Sequence, residues 1–224
     1  MIAICPSCHD AAHHSGISDE TLYNWKKIPY PPTSEVRDHL YVAPSHDIRV
    51  LTGSMCVMTD DADGIVFRLS NANHFKFRIL EGEIFFANCL IKDLRGTTLV
   101  RIIENYITTK KDKLITVTRR PGKISITMLD ADTYLPSWVS KIMWRAFPDF
   151  VRGGQATILD IEVIRPGVVR LLGVFVATDA VLAITESKIC LLRPELNGPL
   201  AIVGQGEDAV IKLSGPVTQA AFEL

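Results

Sequence analysis

The residues with the greatest capacity for chemistry stand in one short run near the start of the chain: Cys5, Cys8, His9, His13 and His14. Thiolates and imidazoles are the donors that zinc prefers. Two residues between Cys5 and Cys8 let both sulfurs reach one ion. His9 and His13 are four apart, so on a helix both rings project from one face. Cys5, Cys8, His9 and His13 therefore form a candidate ligand set for a structural zinc. Adjacent Cys8 and His9 can hardly both point at the same ion. The run thus reads as half of a metal site whose other pair of ligands is missing, because Met1 leaves no room upstream. Cys56, Cys89 and Cys190 sit in no metal-ligand spacing.

The segment Ile2-Ala3-Ile4-Cys5-Pro6-Ser7-Cys8-His9, followed by His13, resembles the distal half of an HNH endonuclease. The continuation, Gly16 to Leu22 and then Tyr23-Asn24-Trp25-Lys26-Lys27, is similar to the helix after that motif in a bacterial HNH subgroup. That subgroup carries a β-rich extension, to which Asn73-His74-Phe75-Lys76-Phe77 is similar. The resemblance implies a β-hairpin and helix around one divalent cation, magnesium or manganese, that hydrolyses phosphodiester bonds of DNA. It also implies that Cys5 and Cys8 match the second Cys pair of a bracing zinc, and that His9 or His13 matches the late metal-binding His. The first Cys pair, the activating His and the orienting Asn have no positions here. The implied nuclease is incomplete and inactive as it stands, and no catalytic residue is assigned.

Other chemistries compete for the same residues. Cys-x-x-Cys-His also attaches c-type haem, but that needs export, and Met1 to Ile4 is too short for a signal peptide. A thioredoxin-like pair needs a preceding βαβ unit, which the few residues before Cys5 cannot supply. The plainest alternative leaves the thiols free and the imidazoles on the start of a helix.

The elements that would position this run follow from pattern. Ser18 is a good N-cap, with Asp19 and Glu20 in the first turn and Lys26 and Lys27 near the end, as the helix dipole favours. Leu22 and Trp25 would share a face. Pro29-Tyr30-Pro31-Pro32 then blocks helix continuation. The organisation expected is a fragment over 1–28, a linker over 29–44 and a β-rich domain over 45–224.

Strand-like runs dominate that domain. In His74-Phe75-Lys76-Phe77-Arg78-Ile79 the apolar residues alternate with polar ones. Further runs occur at 49–52, 65–69, 83–87, 99–103, 114–117, 124–127, 158–164, 168–171, 172–176, 180–184, 189–192 and 210–213. Turns are expected at Asp63-Gly64, Glu81-Gly82, Arg95-Gly96, Pro121-Gly122 and Pro166-Gly167. The fold class expected is mainly β: an antiparallel sandwich or partial barrel with a short helix around 136–147, where Trp138 and Trp144 pack on the sheet. Asp60-Asp61-Ala62-Asp63-Gly64 lacks the spacing of a calcium loop and reads as a turn.

Composition narrows the partners. The chain has 224 residues, 47% of them apolar, which suffices for a core. Its apolar runs are broken well before the roughly 20 residues of a membrane span. Five cysteines without a pairing pattern suit a reducing cytoplasm, with Cys56, Cys89 and Cys190 as buried free thiols. A net charge of −1 makes no global case for nucleic acid. Locally, Lys110, Lys111, Lys113, Arg119, Arg120 and Lys123 face only Asp112, and read first as a solvated hairpin. DNA is the partner the resemblance implies. The competing expectation is a non-catalytic β-rich module that binds or assembles with itself or another protein, carrying a vestigial metal motif.

Overall fold

Apolar residues recurring at every second position make strands with one buried and one wet face, and this pattern organises the protein. A computed structural model describes residues 35–70, 73–148, 150–196, 198–213 and 220–223, together with Thr21, Trp25 and Lys27. Thr21 and Trp25 are helical, and Trp25 is half exposed.

The first sheet contains β1 (Glu35–His39), β4 (Asp63–Ser70), β5 (Asn73–Leu80), β6 (Ile84–Lys92), β7 (Thr98–Ile103), β8 (Tyr106–Lys110) and β17 (Ala220–Glu223). The remaining strands are β2 (Arg49–Thr52), β3 (Met55–Thr59), β9 (Ile115–Arg120), β10 (Lys123–Met128), β11 (Ala156–Arg165), β12 (Val168–Val176), β13 (Val181–Ile184), β14 (Ile189–Leu192), β15 (Leu200–Ile202) and β16 (Val210–Leu213). The first sheet runs β1-β8-β7-β6-β5-β4-β17. The second runs β15-β14-β13-β12-β11-β10-β9, with β2, β3 and β16 branching from β12.

The branch falls inside β12. Val168 to Arg170 pair with β2, and Gly173 to Val176 pair with β13. Gly173 opens the second stretch at a φ of +152°, and a Cβ there would stand 2.6 Å from the Ile158 carbonyl oxygen. Glycine suits the point where the register with β11, which runs from Val168 to Leu172, ends and pairing with β13 begins.

The mainly β class expected from sequence is present, but the sheets are mixed rather than antiparallel. The pairs β2–β12, β3–β16 and β4–β17 are parallel. Each joins strands far apart in sequence, a relation that local patterning does not carry. Glu35–His39 falls inside the span read as linker and pairs along its whole length with β8, while Leu40 and Val42 are buried.

One core serves both sheets. Phe67 of the first and Phe175 of the second meet with ring centroids 4.2 Å apart. Two buried asparagines tie the backbone around it. Asn73 accepts from the Lys92 N–H at 2.6 Å and donates to the Val176 carbonyl across the core. Asn105 accepts from the Ala87 N–H at 2.6 Å and donates to the Phe85 carbonyl at 2.8 Å. Helix α2 (Ser140–Ala146) occupies the region expected to be helical, and a short helix α1 (Ala131–Tyr134) precedes that region. Buried Tyr134 donates to the Val174 carbonyl at 2.7 Å, and Val139 and Met143 are buried while Trp144 is exposed. No helix among the described residues is long and apolar enough to cross a membrane.

Candidate functional site

The zinc ligands expected from sequence, Cys5, Cys8, His9 and His13, lie outside the described residues, as does the Ser18 cap. Among the described residues no group of three or more His, Cys, Asp or Glu side chains is arranged to hold a metal ion. Cys56, Cys89 and Cys190 are buried free thiols. Burial pushes the Cys56 thiol up to about 11 and drives Cys89 higher still, so neither is a thiolate near neutrality.

The basic run in the β9–β10 region is largely absorbed into the fold. Lys110 meets Asp112 at 3.0 Å, and Arg119 meets the nearly buried Asp38 at 2.7 Å. Lys123 lies 3.1 Å from Asp160 and 3.2 Å from Glu162. The Leu114 N–H and the Lys110 ammonium hold the Asp112 carboxyl below its ordinary range. Lys111, Lys113 and Arg120 remain exposed.

A more organised surface appears on the outer face of the first sheet, at its β1–β8–β7 edge. Residues directly opposed across neighbouring strands share a face. His39 opposes Tyr106, which opposes Ile103. In the next row Arg37 opposes Thr108, which opposes Arg101. The first row is apolar and aromatic, yet Tyr106 is 65% and Ile103 55% exposed, and His39 is partly buried. The His39 and Tyr106 rings lie 4.6 Å apart. In the second row Arg37 is only loosely held by Glu35, at 3.8 Å, and no carboxylate among the described residues pairs with Arg101.

Strand geometry sets the scale of this patch. The two rows are about 7 Å apart along the strands, and Arg37 and Arg101 are about 10 Å apart across them. The hairpin between β7 and β8 fixes the register. Its central residues, Glu104 and Asn105, have φ of 48° and 70°, as a tight primed turn requires. The side chain of Asn105 then bolts that turn to β6. His39 also lines a groove of about 280 Å³ whose other walls include Arg119, Arg120 and Lys123. The platform therefore continues towards the exposed guanidinium of Arg120.

The outer face of the second sheet is arranged differently. Across it Lys123 opposes Glu162, which opposes Arg170. Glu162 bonds both cations, and Arg170 lies 3.6 Å from Glu186. Burial works to raise the Glu162 carboxyl, but Lys123 and Arg170 outweigh it and hold the group below its ordinary value. Glu162 is thus a fixed acceptor, poor in the raised-pKa character of a general acid.

The sequence missed the platform because β1 carries no alternation of apolar residues and Tyr106 falls outside the strand-like runs. The visible signal was the pair Glu104-Asn105 between two β-rich runs, a turn that sets Ile103 opposite Tyr106. Comparison with protein-family models, with curated proteins and with solved structures gives no match to this chain. Function is read from the residues and their geometry.

Proposed function

We propose that this chain is a DNA-associated relative of the HNH endonucleases whose β-rich body holds a single strand on the β1–β8–β7 platform. In this reading Cys5, Cys8 and His9 or His13 bind a structural zinc, as the donor types suit. Magnesium or manganese belongs only to a completed nuclease core, and the body itself binds without catalysis.

The observation that carries the binding reading is the two-row grid: exposed Tyr106 and Ile103 with partly buried His39, beside Arg37, Thr108 and Arg101. Bases stack on exposed aromatic side chains of a sheet face, and arginines at the neighbouring row meet the phosphates. The grid interleaves the two, which the hairpin cluster does not.

Anisotropy titration of a labelled oligothymidylate of about 20 nucleotides, at several salt concentrations, tests it. Tyr106→Ala is expected to cost about 1–3 kcal/mol of affinity. Replacing Arg37 and Arg101 by Ser is expected to flatten the log–log salt dependence by about 1.4, two contacts at about 0.7 each. Binding that ignores all three substitutions, or no binding at low salt, rejects the platform.

A second reading, assembly through the body, has its own observation. In β15 Leu200, Ala201 and Ile202 are all exposed, and Val203 follows at 69%. Among the described residues β15 pairs only with β14, so it presents there a backbone edge of the kind at which sheets join. Sedimentation equilibrium of the full chain and of Ile202→Lys tests this. A dimer dispersed by the lysine favours assembly, and a monomer in both excludes it.

A further inference from the structure

The strongest feature outside the platform is a cleft of about 580 Å³ over the outer face of the second sheet. Its volume falls in the range of small-ligand sites. The floor includes Asp160, Lys123 and Leu172. One wall is apolar, from Phe147, Pro148 and Phe150, and the other is the turn Thr185 to Lys188. That turn is rigid: the Thr185 hydroxyl accepts from the Lys188 N–H at 3.2 Å and donates to the Lys188 carbonyl at 3.0 Å.

Charge in the cleft divides into spent and unspent groups. Lys123 is spent on Asp160 and Glu162, and Arg170 behind it on Glu162 and Glu186. Asp160 has one oxygen held by Lys123, while its Oδ1 is buried without a hydrogen-bond partner. Such an acceptor lacks a donor it would hold strongly. The Glu186 carboxylate is 75% exposed and reaches Arg170 only at 3.6 Å. The remaining charge is Lys188, whose ammonium lies 5.1 Å from the centre of the Phe147 ring. No carboxylate among the described residues pairs with it.

We propose that this cleft binds an organic ammonium with an apolar body, and that Lys188 is an internal placeholder for that cation. The ring face of Phe147 attracts positive charge, and Lys188 now occupies it. An incoming ammonium displaces Lys188 from the ring and lies between Phe147 and the Glu186 carboxylate, with the charge of Asp160 in the floor beneath it. Its apolar body rests against Phe150 and Pro148. An anionic ligand would be drawn to Lys188 instead, which gives the two alternatives opposite responses to one substitution.

Phenethylamine is the probe, titrated by NMR or calorimetry into the full chain, with benzoate as the anionic control. Lys188→Ala is expected to strengthen phenethylamine binding by a few-fold to about tenfold, because the competing cation is gone. Asp160→Asn is expected to weaken it by about tenfold or more, and Phe147→Leu by several-fold. Lys188→Ala retains the buried sheet, so it reports even if a variant of the floor or wall fails to fold. Loss of phenethylamine binding in Lys188→Ala overturns the proposal. So does benzoate binding that depends on Lys188, or the absence of phenethylamine binding to the unmodified chain.

Discussion

The two sheets share one core, yet the outer face of the second and the β1–β8–β7 edge of the first treat their charges in opposite ways. Elsewhere on the first sheet Arg68 and Arg78 are paired with Glu223 and Glu104. On the second sheet Lys123, Glu162 and Arg170 stand in one cross-strand row, and each charge has an opposite neighbour. On the first sheet the row Arg37, Thr108, Arg101 places two guanidiniums with no acid between them, beside a row in which Tyr106 and Ile103 are exposed and His39 is partly buried. Alternating charges satisfy one another and favour the fold. Like charges beside exposed aromatics add little to folding and are an expense unless something binds them. The difference separates a face arranged for stability from a face available to a partner.

That contrast presumes that both faces belong to one cooperative body. The largest expected effect tests this premise. Phe175→Ala removes the ring that meets Phe67 across the core and is expected to cost about 3–5 kcal/mol. Urea unfolding followed by fluorescence and by circular dichroism should stay a single coincident transition, shifted to lower urea. Two separated transitions would mean the sheets unfold independently, and the faces could no longer be compared on one scaffold.

The next effect sharpens the contrast directly. Glu162→Ala strips Lys123 and Arg170 of their common acceptor, and all three side chains are less than a third exposed. A loss of about 1–3 kcal/mol in the urea midpoint analysis is expected. Arg101→Ala, on the other sheet, should leave the midpoint unchanged, since it breaks no pair. If Arg101→Ala proves the more damaging, the first sheet's charges are structural and the platform loses its rationale.

A smaller effect concerns the branch in β12. Gly173→Ala places a Cβ 2.6 Å from the Ile158 carbonyl oxygen at a φ of +152°. A destabilisation of about 1–3 kcal/mol is expected, measurable as a drop in Tm. Its size reports how firmly β12 must hold β2 on one side of the glycine and β13 on the other.

The sequence disclosed the strands and hid their partners. β5 alternates so regularly that its buried face could be written down in advance, and Phe75 and Phe77 occupy it. The turn expected at Asp63-Gly64 is absent, because Gly64 serves a different need. It lies opposite Phe77, and a Cβ would stand 2.5 Å from that ring. Residues 60–62 make the bend instead. The three parallel pairings depend on contacts between distant segments, which no local period encodes. β1 was hidden for another reason: Glu35, Arg37 and Asp38 look like linker, and only pairing with β8 and the Asp38–Arg119 bond at 2.7 Å make them a strand. The platform inherits that concealment. The metal motif was the reverse case, plain in residue type and spacing at Cys5, Cys8, His9 and His13.

The smallest expected effect is a dependence on pH that distinguishes the two faces. The Glu162 carboxyl is held below its ordinary value of 4.5 by Lys123 and Arg170 against the opposing pull of burial. A group whose folded pKa is depressed stabilises the fold fully above its unfolded pKa, and that contribution is lost as pH falls through the folded pKa. Stability measured by urea titration should therefore decline below about pH 4.5 in the unmodified chain. Glu162→Gln removes that component and should give a flatter acid limb. Asp112 and Glu207 are also depressed, by Leu114 with Lys110 and by Arg165 respectively, but those pairs are more exposed and salt should screen them. In high salt the difference between the unmodified chain and Glu162→Gln should persist, while Arg37 and Arg101 variants should follow the unmodified curve. An acid limb identical in the Glu162→Gln variant would show that the alternating row does not favour the folded state, and the division between a stabilising face and a binding face would fail.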